Sequence, residues 1–249
     1  MTIETYGTER RVAVAAELAR GLFQKNLIFF PVPTTKDKIH PTGSDVPLSE
    51  TLVGLTSESV VVGYSLPSDY KSAVEERGAK LLDLALDEKF LTDNADITAD
   101  GALGYILTSA VKSPRDTTFG IVGYGRIGSR MARMLLFLGA RVRVYTSKET
   151  TRLELCKCGV ECCEVKEGEE YSFDGIDILI NTAPKDMTAS FKDGARPHGM
   201  RVIELASGDN FKNMSWVEKL PALPERMLFE SGGRAYFEAV KRFMGGERL

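Results

Sequence analysis

The chain has 249 residues, of which 43% are hydrophobic and 27% are charged, and its formal net charge is −3. These values are typical of a globular protein with one large domain or two modest ones, and they favour neither a nucleic-acid partner nor a membrane-surface partner. No apolar stretch approaches the roughly 20 residues that a membrane helix needs, and the polar N-terminus lacks a signal-peptide core, so we expect a cytoplasmic protein.

The first part of the chain carries weak structural signals. Residues 11–23 fit a helix, or a strand followed by a helix, and residues 26–31 form a short apolar run. Four prolines between Pro31 and Pro47 predict a long loop, which in a compact domain is typically functional or mobile.

Stronger patterns follow that loop. An apolar run at 59–65 predicts a buried strand, residues 68–77 predict a helix closed by Gly78, and residues 79–85 predict a second strand. A strand–helix–strand unit of this kind favours a parallel sheet. We therefore predict a smaller α/β domain over residues 1–97 and interpret it as the substrate domain.

A helical pattern comes next. Thr98 has the character of an N-cap, and an apolar face recurs at helical spacing until Ser113 and Pro114 break the pattern. The residues of that face are Ala102, Leu103, Ile106, Leu107 and Ala110. We predict a connector helix over residues 98–112.

Strands and helices alternate regularly over residues 113–222. The predicted strands span residues 119–122, 141–146, 160–165, 176–181 and 201–206, and the predicted helices span residues 126–138 and 150–157. Such alternation predicts an α/β fold with a doubly wound parallel sheet of the Rossmann type, which binds NAD(P). A last helix from Gly233 to Met244 lies in the segment 223–249, which we expect to return toward the domain interface.

Four cysteines surround one predicted turn of this region, at Cys156, Cys158, Cys162 and Cys163. A zinc site would favour paired C-x-x-C loops, which this spacing lacks. Free cysteine commonly behaves as a small buried hydrophobe, so we interpret these residues as structural and expect no metal and no disulfide.

The most informative motif is Gly123-x-Gly125-x-x-Gly128, which lies between an apolar strand and a helix. Gly123 allows a tight turn, Gly125 lets the backbone approach a pyrophosphate, and Gly128 lets the helix pack closely on the strand. The free N–H groups and the positive end of that helix attract phosphates. The predicted dinucleotide site also includes Tyr124, Arg126 and Ile127.

The end of the second strand of this sheet distinguishes NAD from NADP. An acid here would bind the ribose 2′-hydroxyl of NAD, whereas this chain has Thr146, Ser147 and Lys148. Hydroxyl and cationic groups, with Arg126 and Arg152 nearby, suit a 2′-phosphate through charge-assisted hydrogen bonds. We favour NADP and keep NAD as the alternative. Lys148 and Arg152 could instead be solvated surface charges.

Two further strand ends complete the predicted site, because ligands of such sheets bind at the carboxyl ends of the strands near the switch point in strand order. One segment either lines the nicotinamide side or forms a routine turn after a buried strand. That segment is Asn181, Thr182, Ala183 and Pro184. The other strand end carries Ala206 and Ser207.

The residues alone assign no catalytic group. His40 lies in the proline-rich loop and His198 precedes the last predicted strand, and neither is convincing as an acid–base catalyst. The carboxylates Asp100, Glu204 and Glu230 are alternatives that the sequence does not distinguish.

Five motifs, in their order and spacing, resemble the A subunit of dipicolinate synthase, a relative of the D-2-hydroxyacid dehydrogenases. The motifs lie at residues 97–103, 123–128, 138–142, 177–184 and 202–207. The resemblance implies pyridine-nucleotide-dependent oxidation of a cyclic intermediate to dipicolinate in sporulating bacteria, and a flavoprotein-like second subunit. It also implies that the glycine loop and residues 146–148, 181–184 and 206–207 lie near the cofactor.

Two segments depart from that family. Residues 208–211 replace an Arg-Pro-Gly-Gly-like segment, and Phe229-Glu230 replaces a Pro-Lys pair. We predict an NAD(P)-dependent oxidoreductase of a small carboxylated metabolite, with a non-catalytic dinucleotide-binding subunit or sensor as the alternative. A D-2-hydroxyacid dehydrogenase ranks last because no histidine follows His198. We also expect a homodimer.

Overall fold

The computed structural model describes residues 2–165, 171–191 and 194–245. Parts of the predicted Rossmann domain (166–170 and 192–193) and of the predicted C-terminal segment (246–249) lie outside the described residues. The chain divides into two compact units. Unit 1 comprises Met1–Ile97 and Pro224–Leu249, and unit 2 comprises Thr98–Leu223. Among the described residues, no helix combines the length and the apolar character needed to cross a membrane.

The helices and strands follow one another in alternation along most of the chain. In chain order they are β1 (Ile3–Thr5), α1 (Arg10–Ala19), β2 (Asn26–Phe29), β3 (Ser59–Gly63), α2 (Ser68–Glu76), β4 (Lys80–Asp83), α3 (Glu88–Thr108), β5 (Thr118–Val122), α4 (Arg126–Phe137), β6 (Arg141–Thr146), α5 (Glu149–Lys157), β7 (Glu161–Glu164), β8 (Ile178–Asn181), β9 (Arg201–Glu204), β10 (Glu218–Lys219), α6 (Leu223–Arg226) and α7 (Phe229–Phe243).

Unit 1 is built on a parallel sheet in the order β1-β2-β3-β4. Helices α1 and α7 pack tightly against each other, since a Cβ on Gly233 would lie 2.5 Å from the Cβ of Val14. Tyr236 of α7 is fully buried, and its hydroxyl donates to the carbonyl oxygens of Phe30 and Val62 at the ends of β2 and β3. The C-terminal helix is therefore part of the core of unit 1.

Helix α7 begins at Phe229, four residues before the predicted start at Gly233. Glycine is a poor helix former, so the sequence favours a start after the glycine pair. In the structure both glycines lie inside the helix, where neighbouring backbone approaches them closely. A Cβ on Gly233 would lie 2.8 Å from the carbonyl oxygen of Arg11 in α1, and a Cβ on Gly232 would lie 3.2 Å from that of Pro224.

Unit 2 contains a six-stranded parallel sheet in the order β10-β9-β8-β5-β6-β7. Read from the other edge, this is the strand order 3-2-1-4-5-6 of the doubly wound Rossmann fold. The order reverses between β5 and β8, so the switch point lies where these two strands end. The predicted fold class, α/β with a doubly wound sheet, is confirmed.

The two faces of this sheet are covered differently. Apolar residues of α3, α4 and α5 bury one face. The other face is covered by an aromatic cluster in which Phe191 stacks on Phe173, with ring centroids 5.4 Å apart, and meets Trp216 edge-on at 5.4 Å. Aromatic side chains bury enough area to replace a helix as the covering layer.

The helix expected over residues 98–112 begins at Glu88 and ends at Thr108. Its true start is fixed by Asp87, whose side chain accepts a hydrogen bond of 2.8 Å from the N–H of Phe90. Thr98 is buried inside the helix rather than capping it. At the other end, the hydroxyl of Ser109 binds the carbonyl oxygen of Tyr105 at 2.7 Å, which satisfies a carbonyl of the last turn.

Candidate functional site

A pocket of about 560 Å³ lies in unit 2 at the carboxyl ends of four strands. It is lined by residues 122–125 after β5, 145–148 at the end of β6, Val165 after β7 and 182–185 after β8. This is the crevice beside the switch point, where open α/β sheets bind their ligands.

The structure brings together only part of the predicted site. The predicted residues that line the pocket are Gly123, Tyr124, Gly125, Thr146, Ser147, Lys148, Thr182, Ala183 and Pro184. The predicted residues outside its lining are Arg126, Ile127, Gly128, Arg152, Asn181, Ala206 and Ser207. Several members of the second group support the pocket from behind.

Each glycine of the motif is under a separate steric constraint. Gly123 has a φ of +88°, a conformation that side chains other than glycine rarely adopt. A Cβ on Gly128 would clash with the carbonyl oxygen of Gly123 and lie 2.7 Å from Oγ1 of Thr182. A Cβ on Gly125 would meet nothing within 4 Å, so this position is open on the pocket side.

The N-terminus of α4 points its first N–H groups toward this loop without a side-chain cap. The N-cap residue is Gly125, and the first turn contains no acidic side chain. An uncapped helix start retains free N–H donors and a partial positive charge, which is the arrangement that binds phosphate groups.

The charges of the lining are also suited to an anion. Lys148 and Lys185 line the pocket, and none of the lining residues within the described ranges 2–165, 171–191 and 194–245 is acidic. Glu149, the acid that follows Lys148, is exposed on α5 and lies outside the lining. The electrostatics therefore favour a ligand that carries several negative charges.

Arg152 does not line the pocket, although the sequence places it near the predicted 2′-phosphate. Its guanidinium donates to the carbonyl oxygen of Thr146 at 3.0 Å and to Oε1 of Glu164 at 3.0 Å. The side chain therefore holds the ends of β6 and β7 together. The pocket is lined here by Thr146 at the end of β6 and by Ser147 and Lys148 directly after it.

The pocket lining also includes four residues that the sequence analysis did not assign to the site, namely Val122, Tyr145, Val165 and Lys185. Lys185 directly follows the predicted Asn181–Pro184 segment, so extending that segment by one residue would have included it. Its ammonium donates to the hydroxyl of Tyr171 at 2.8 Å. Tyr145 is almost fully buried, and burial raises the pKa of its hydroxyl.

Behind the pocket, two buried polar side chains clamp the turn that follows β8. The amide of Asn181 donates to both carboxylate oxygens of Glu204, at 3.2 and 3.1 Å, and to the carbonyl oxygen of Ala183 at 3.0 Å. Glu204 also accepts the N–H of Ala206 at 2.7 Å. Burial raises the pKa of Glu204, which is only 4% exposed.

This clamp explains why β9 ends at Glu204, two residues earlier than predicted. The carboxylate captures the N–H of Ala206, so the chain turns back on its own side chain. Asn181 and Glu204 therefore shape the pocket through the backbone rather than by lining it.

The remaining catalytic candidates lie apart from the pocket lining. Asp100 pairs with Arg130 at 3.4 Å, and Glu230 and His198 are exposed. His40 belongs to unit 1, where its ring lies 3.0 Å from Asp37. Asp100, Glu204, Glu230 and the histidines therefore remain unassigned as catalysts.

The four cysteines are free thiols, with Cys156 and Cys158 exposed and Cys162 and Cys163 half-buried. Burial raises the pKa of Cys162 to about 11. No group of three or more potential metal ligands occurs within the described ranges 2–165, 171–191 and 194–245.

The strand order and the glycine loop define an α/β protein with a Rossmann-type domain. Residues 104–190 match the family described as "D-isomer specific 2-hydroxyacid dehydrogenase, NAD binding domain". No curated protein matches the sequence. Residues 104–190 are therefore similar to an NAD-binding domain, and the similarity to particular proteins comes from solved structures.

Three solved structures show that similarity over nearly the whole chain. The dipicolinate synthase A subunit from Bacillus halodurans has a TM-score of 0.76 and 16% identity, covering 98% of this chain and 97% of its own. The A chain of dipicolinate synthase from Bacillus subtilis has a TM-score of 0.74 and 16% identity, covering 99% and 96%. A D-isomer specific 2-hydroxyacid dehydrogenase from Xanthobacter autotrophicus Py2, in complex with NADPH and MES, has a TM-score of 0.52 and 13% identity, covering 100% and 97%.

The resemblance to the dipicolinate synthase A subunit that the motifs predict is confirmed at the level of the fold. It extends over both units, including the first unit, for which the sequence gives little sign of the relationship.

Proposed function

We propose that this protein is an NADP-dependent oxidoreductase that acts on a small carboxylated metabolite. The observation that carries the proposal is the pocket at the switch point, where an open Gly125, an uncapped helix start and two lysines converge. Among the residues that the structure describes, none that lines this pocket is acidic. When bound there, NADP would supply the hydride-transfer chemistry, and the protein would bind and orient it.

The roles of the residues follow from their positions. The N–H groups at the start of α4 would hold the diphosphate, and Gly125 would leave room for its close approach. Ser147 and Lys148 stand at the end of β6, where the ribose of the adenosine half binds in this fold. A hydroxyl and an ammonium there favour a 2′-phosphate over a free 2′-hydroxyl.

The proposed substrate class, a small carboxylated metabolite, rests on similarity to solved structures. The protein resembles the dipicolinate synthase A subunit over 98% of its length, and a neighbour in complex with NADPH shares the fold. The same proposal includes a homodimer, a cytoplasmic location, a role in sporulation and a flavoprotein-like second subunit. These four points remain predictions.

The first test is a fluorescence titration of the purified protein with NADPH and with NADH. We expect saturable binding of both coenzymes, with NADPH tighter, because only NADPH has a 2′-phosphate for Lys148 to contact. Turnover is then measured with NADP and a panel of small cyclic and acyclic carboxylates. If neither NADPH nor NADH bound, the proposal that the protein is a dinucleotide-dependent oxidoreductase would be refuted.

Lys148→Asp should weaken NADPH binding about tenfold while changing NADH binding by less than about twofold, because one charge-assisted contact becomes a repulsion. Lys38→Asp is the matched control: it makes the same charge change in unit 1, and its φ of +66° is one that aspartate tolerates. An equal loss of NADPH and NADH affinity would argue against a 2′-phosphate contact.

A non-catalytic dinucleotide-binding subunit is the second candidate. Among the described residues, the pocket lining contains no histidine and no carboxylate, and its titratable side chains are those of Tyr124, Tyr145, Lys148 and Lys185. Such a lining binds a dinucleotide without offering a conventional acid–base pair. Tight NADPH binding without reduction by any substrate of the panel would favour this candidate.

A further inference from the structure

The proline-rich segment between β2 and β3 is folded into a compact loop. Thr35 and Pro41 form an isolated antiparallel bridge that closes it. The N–H of Thr42 donates to the carbonyl oxygen of Thr34 at 2.7 Å, and its hydroxyl donates to that of Pro33 at 2.9 Å. A Cβ on Gly7 would clash with the carbonyl oxygen of Thr42, so the end of β1 also packs directly against this loop.

Asp37 organises the tip of the loop. One carboxylate oxygen accepts the N–H groups of Ile39 and His40, each at 2.8 Å, and the hydroxyl of Thr35 at 3.0 Å. The other oxygen lies 3.0 Å from Nδ1 of His40. These hydrogen bonds, led by the one from the His40 backbone, hold the pKa of Asp37 well below its usual range.

An ionised carboxylate only accepts hydrogen bonds, so the proton between Asp37 and His40 belongs to Nδ1 of the ring. The imidazole is thereby fixed in one orientation. Its second nitrogen, Nε2, remains for a ligand, as it does in sites where a carboxylate orients a histidine. Nε2 accepts a hydrogen bond in the neutral ring and donates one to a carboxylate in the imidazolium form.

His40 lines a pocket of about 380 Å³ that lies entirely within this loop. That volume is within the range of small-molecule sites. The polar groups around it are the ammonium of Lys36 and the hydroxyls of Thr42 and Ser44, and its acidic groups are Asp37 and Asp45. The hydrogen bonds to Asp37 already compensate the charge of that carboxylate, whereas Lys36 and His40 present donors.

The loop also has the position expected of a ligand site. It follows the carboxyl end of β2 in an all-parallel sheet, and such sheets bind ligands at that edge. The nucleotide pocket described above is lined by residues of unit 2, whereas this pocket is lined by residues of unit 1.

We propose that the loop pocket of residues 36–45 binds a carboxylate group of a small metabolite, with Lys36 and the Asp37-oriented His40 as its donors. The inference deepens the proposed function, on which the description of that metabolite as a substrate rests. The ammonium of Lys36 and the imidazolium form of His40 supply the charge. The hydroxyl of Ser44 adds a donor for a carboxylate oxygen, whereas the hydroxyl of Thr42 already donates to the carbonyl oxygen of Pro33.

The test uses the fact that the chain has two histidines. In protein labelled at histidine, two imidazole signals are followed by NMR in slightly acidic buffer, and His40→Gln assigns one of them. Malonate is the probe, and 1,3-diaminopropane is its counterpart of similar length and opposite charge. We expect malonate to shift the His40 signal saturably, while the exposed His198 of unit 2 stays in place.

Lys36→Gln should weaken malonate binding about two- to fivefold, the size of an exposed charge contact. Lys38→Gln removes the same charge from the same loop at a residue that does not line the pocket, and it should leave binding unchanged. An unmoved His40 signal, a parallel shift of His198, or a response to the diamine instead of malonate would each overturn the proposal.

The outcome is separable from that of the proposed function. NADPH binding without a malonate response would refute the carboxylate site and leave the dinucleotide proposal standing. A malonate response in a protein that binds neither NADPH nor NADH would support the loop site and refute the oxidoreductase.

Discussion

Gly125→Val should abolish measurable NADPH binding, raising the dissociation constant at least about 100-fold, a cost of about 3 kcal/mol that fits a forced clash. A Cβ at this position meets nothing in the protein, so the added branches fill the space that the diphosphate needs. The backbone at Gly125 is extended, with φ −83° and ψ −160°, which valine adopts without strain. The dissociation constant is measured by fluorescence titration or calorimetry.

The fold should survive that change. The free energy of unfolding should fall by less than about 0.5 kcal/mol, as for other open positions. Gly128→Ala gives the opposite expectation: its Cβ would clash with the carbonyl oxygen of Gly123, so it should cost about 2 kcal/mol of stability through overpacking. Undiminished NADPH binding by Gly125→Val would show that the dinucleotide pocket lies elsewhere.

The different roles of Gly125 and Gly128 show which structural features a local sequence motif can predict. The spacing of Gly123, Gly125 and Gly128 depends on a strand, a turn and a helix that are contiguous in sequence. Such information is readable without a structure, and so are the apolar strands of unit 2, because each is a short buried run between turn residues.

Features that depend on residues far apart in the chain cannot be predicted from a local sequence pattern. Gly233 sits inside α7 because α1, more than 200 residues earlier, lies against it. The aromatic cluster that covers one face of the sheet is assembled from loops, and loops carry no periodic pattern. The start of α3 depends on a side-chain cap at Asp87, which the stronger apolar pattern after Thr98 hides.

The candidate site also contains some residues that the sequence predicts and others that it does not. Residues 146–148 and 182–184 could be predicted because the fold class places strand ends at the ligand. The Asn181–Glu204 clamp could not, since it joins side chains 23 residues apart whose partners are set by the strand order. The sequence marks His40 only as a loop residue, because nothing in its neighbourhood shows that its contact with Asp37 is part of a pocket.

The clamp leads to the second prediction of large effect. Glu204→Leu should lower the free energy of unfolding by about 3 kcal/mol at neutral pH, because the Asn181 amide and the Ala206 N–H lose their buried acceptor. Denaturant unfolding measures this loss. NADPH binding should weaken as well, since Asn181 fixes the turn that carries Thr182 and Ala183 into the pocket.

The pH dependence of the free energy of unfolding tests the role of Glu204 more sharply than the loss of stability in Glu204→Leu. The pKa of Glu204 is raised by burial above the value of the unfolded chain, so its stabilising contribution is full below about pH 4.5 and declines as the pH rises through the folded-state pKa. Glu204→Gln cannot ionise. The stability difference between wild type and Glu204→Gln should therefore be largest in acid and shrink toward neutral pH.

Glu218 on the adjacent strand β10 is the matched control, because its environment shifts the pKa the other way. Arg201 donates to its carboxylate at 2.9 and 2.7 Å and lowers the pKa of Glu218. Its contribution is present above the unfolded pKa and is lost as the pH falls, so Glu218→Gln should cost more at neutral pH than in acid. If the loss of stability in Glu204→Gln and the loss in Glu218→Gln changed with pH in the same direction, burial would not control the ionisation of Glu204. The contact between Asn181 and Glu204 would then be an ordinary ion–dipole contact.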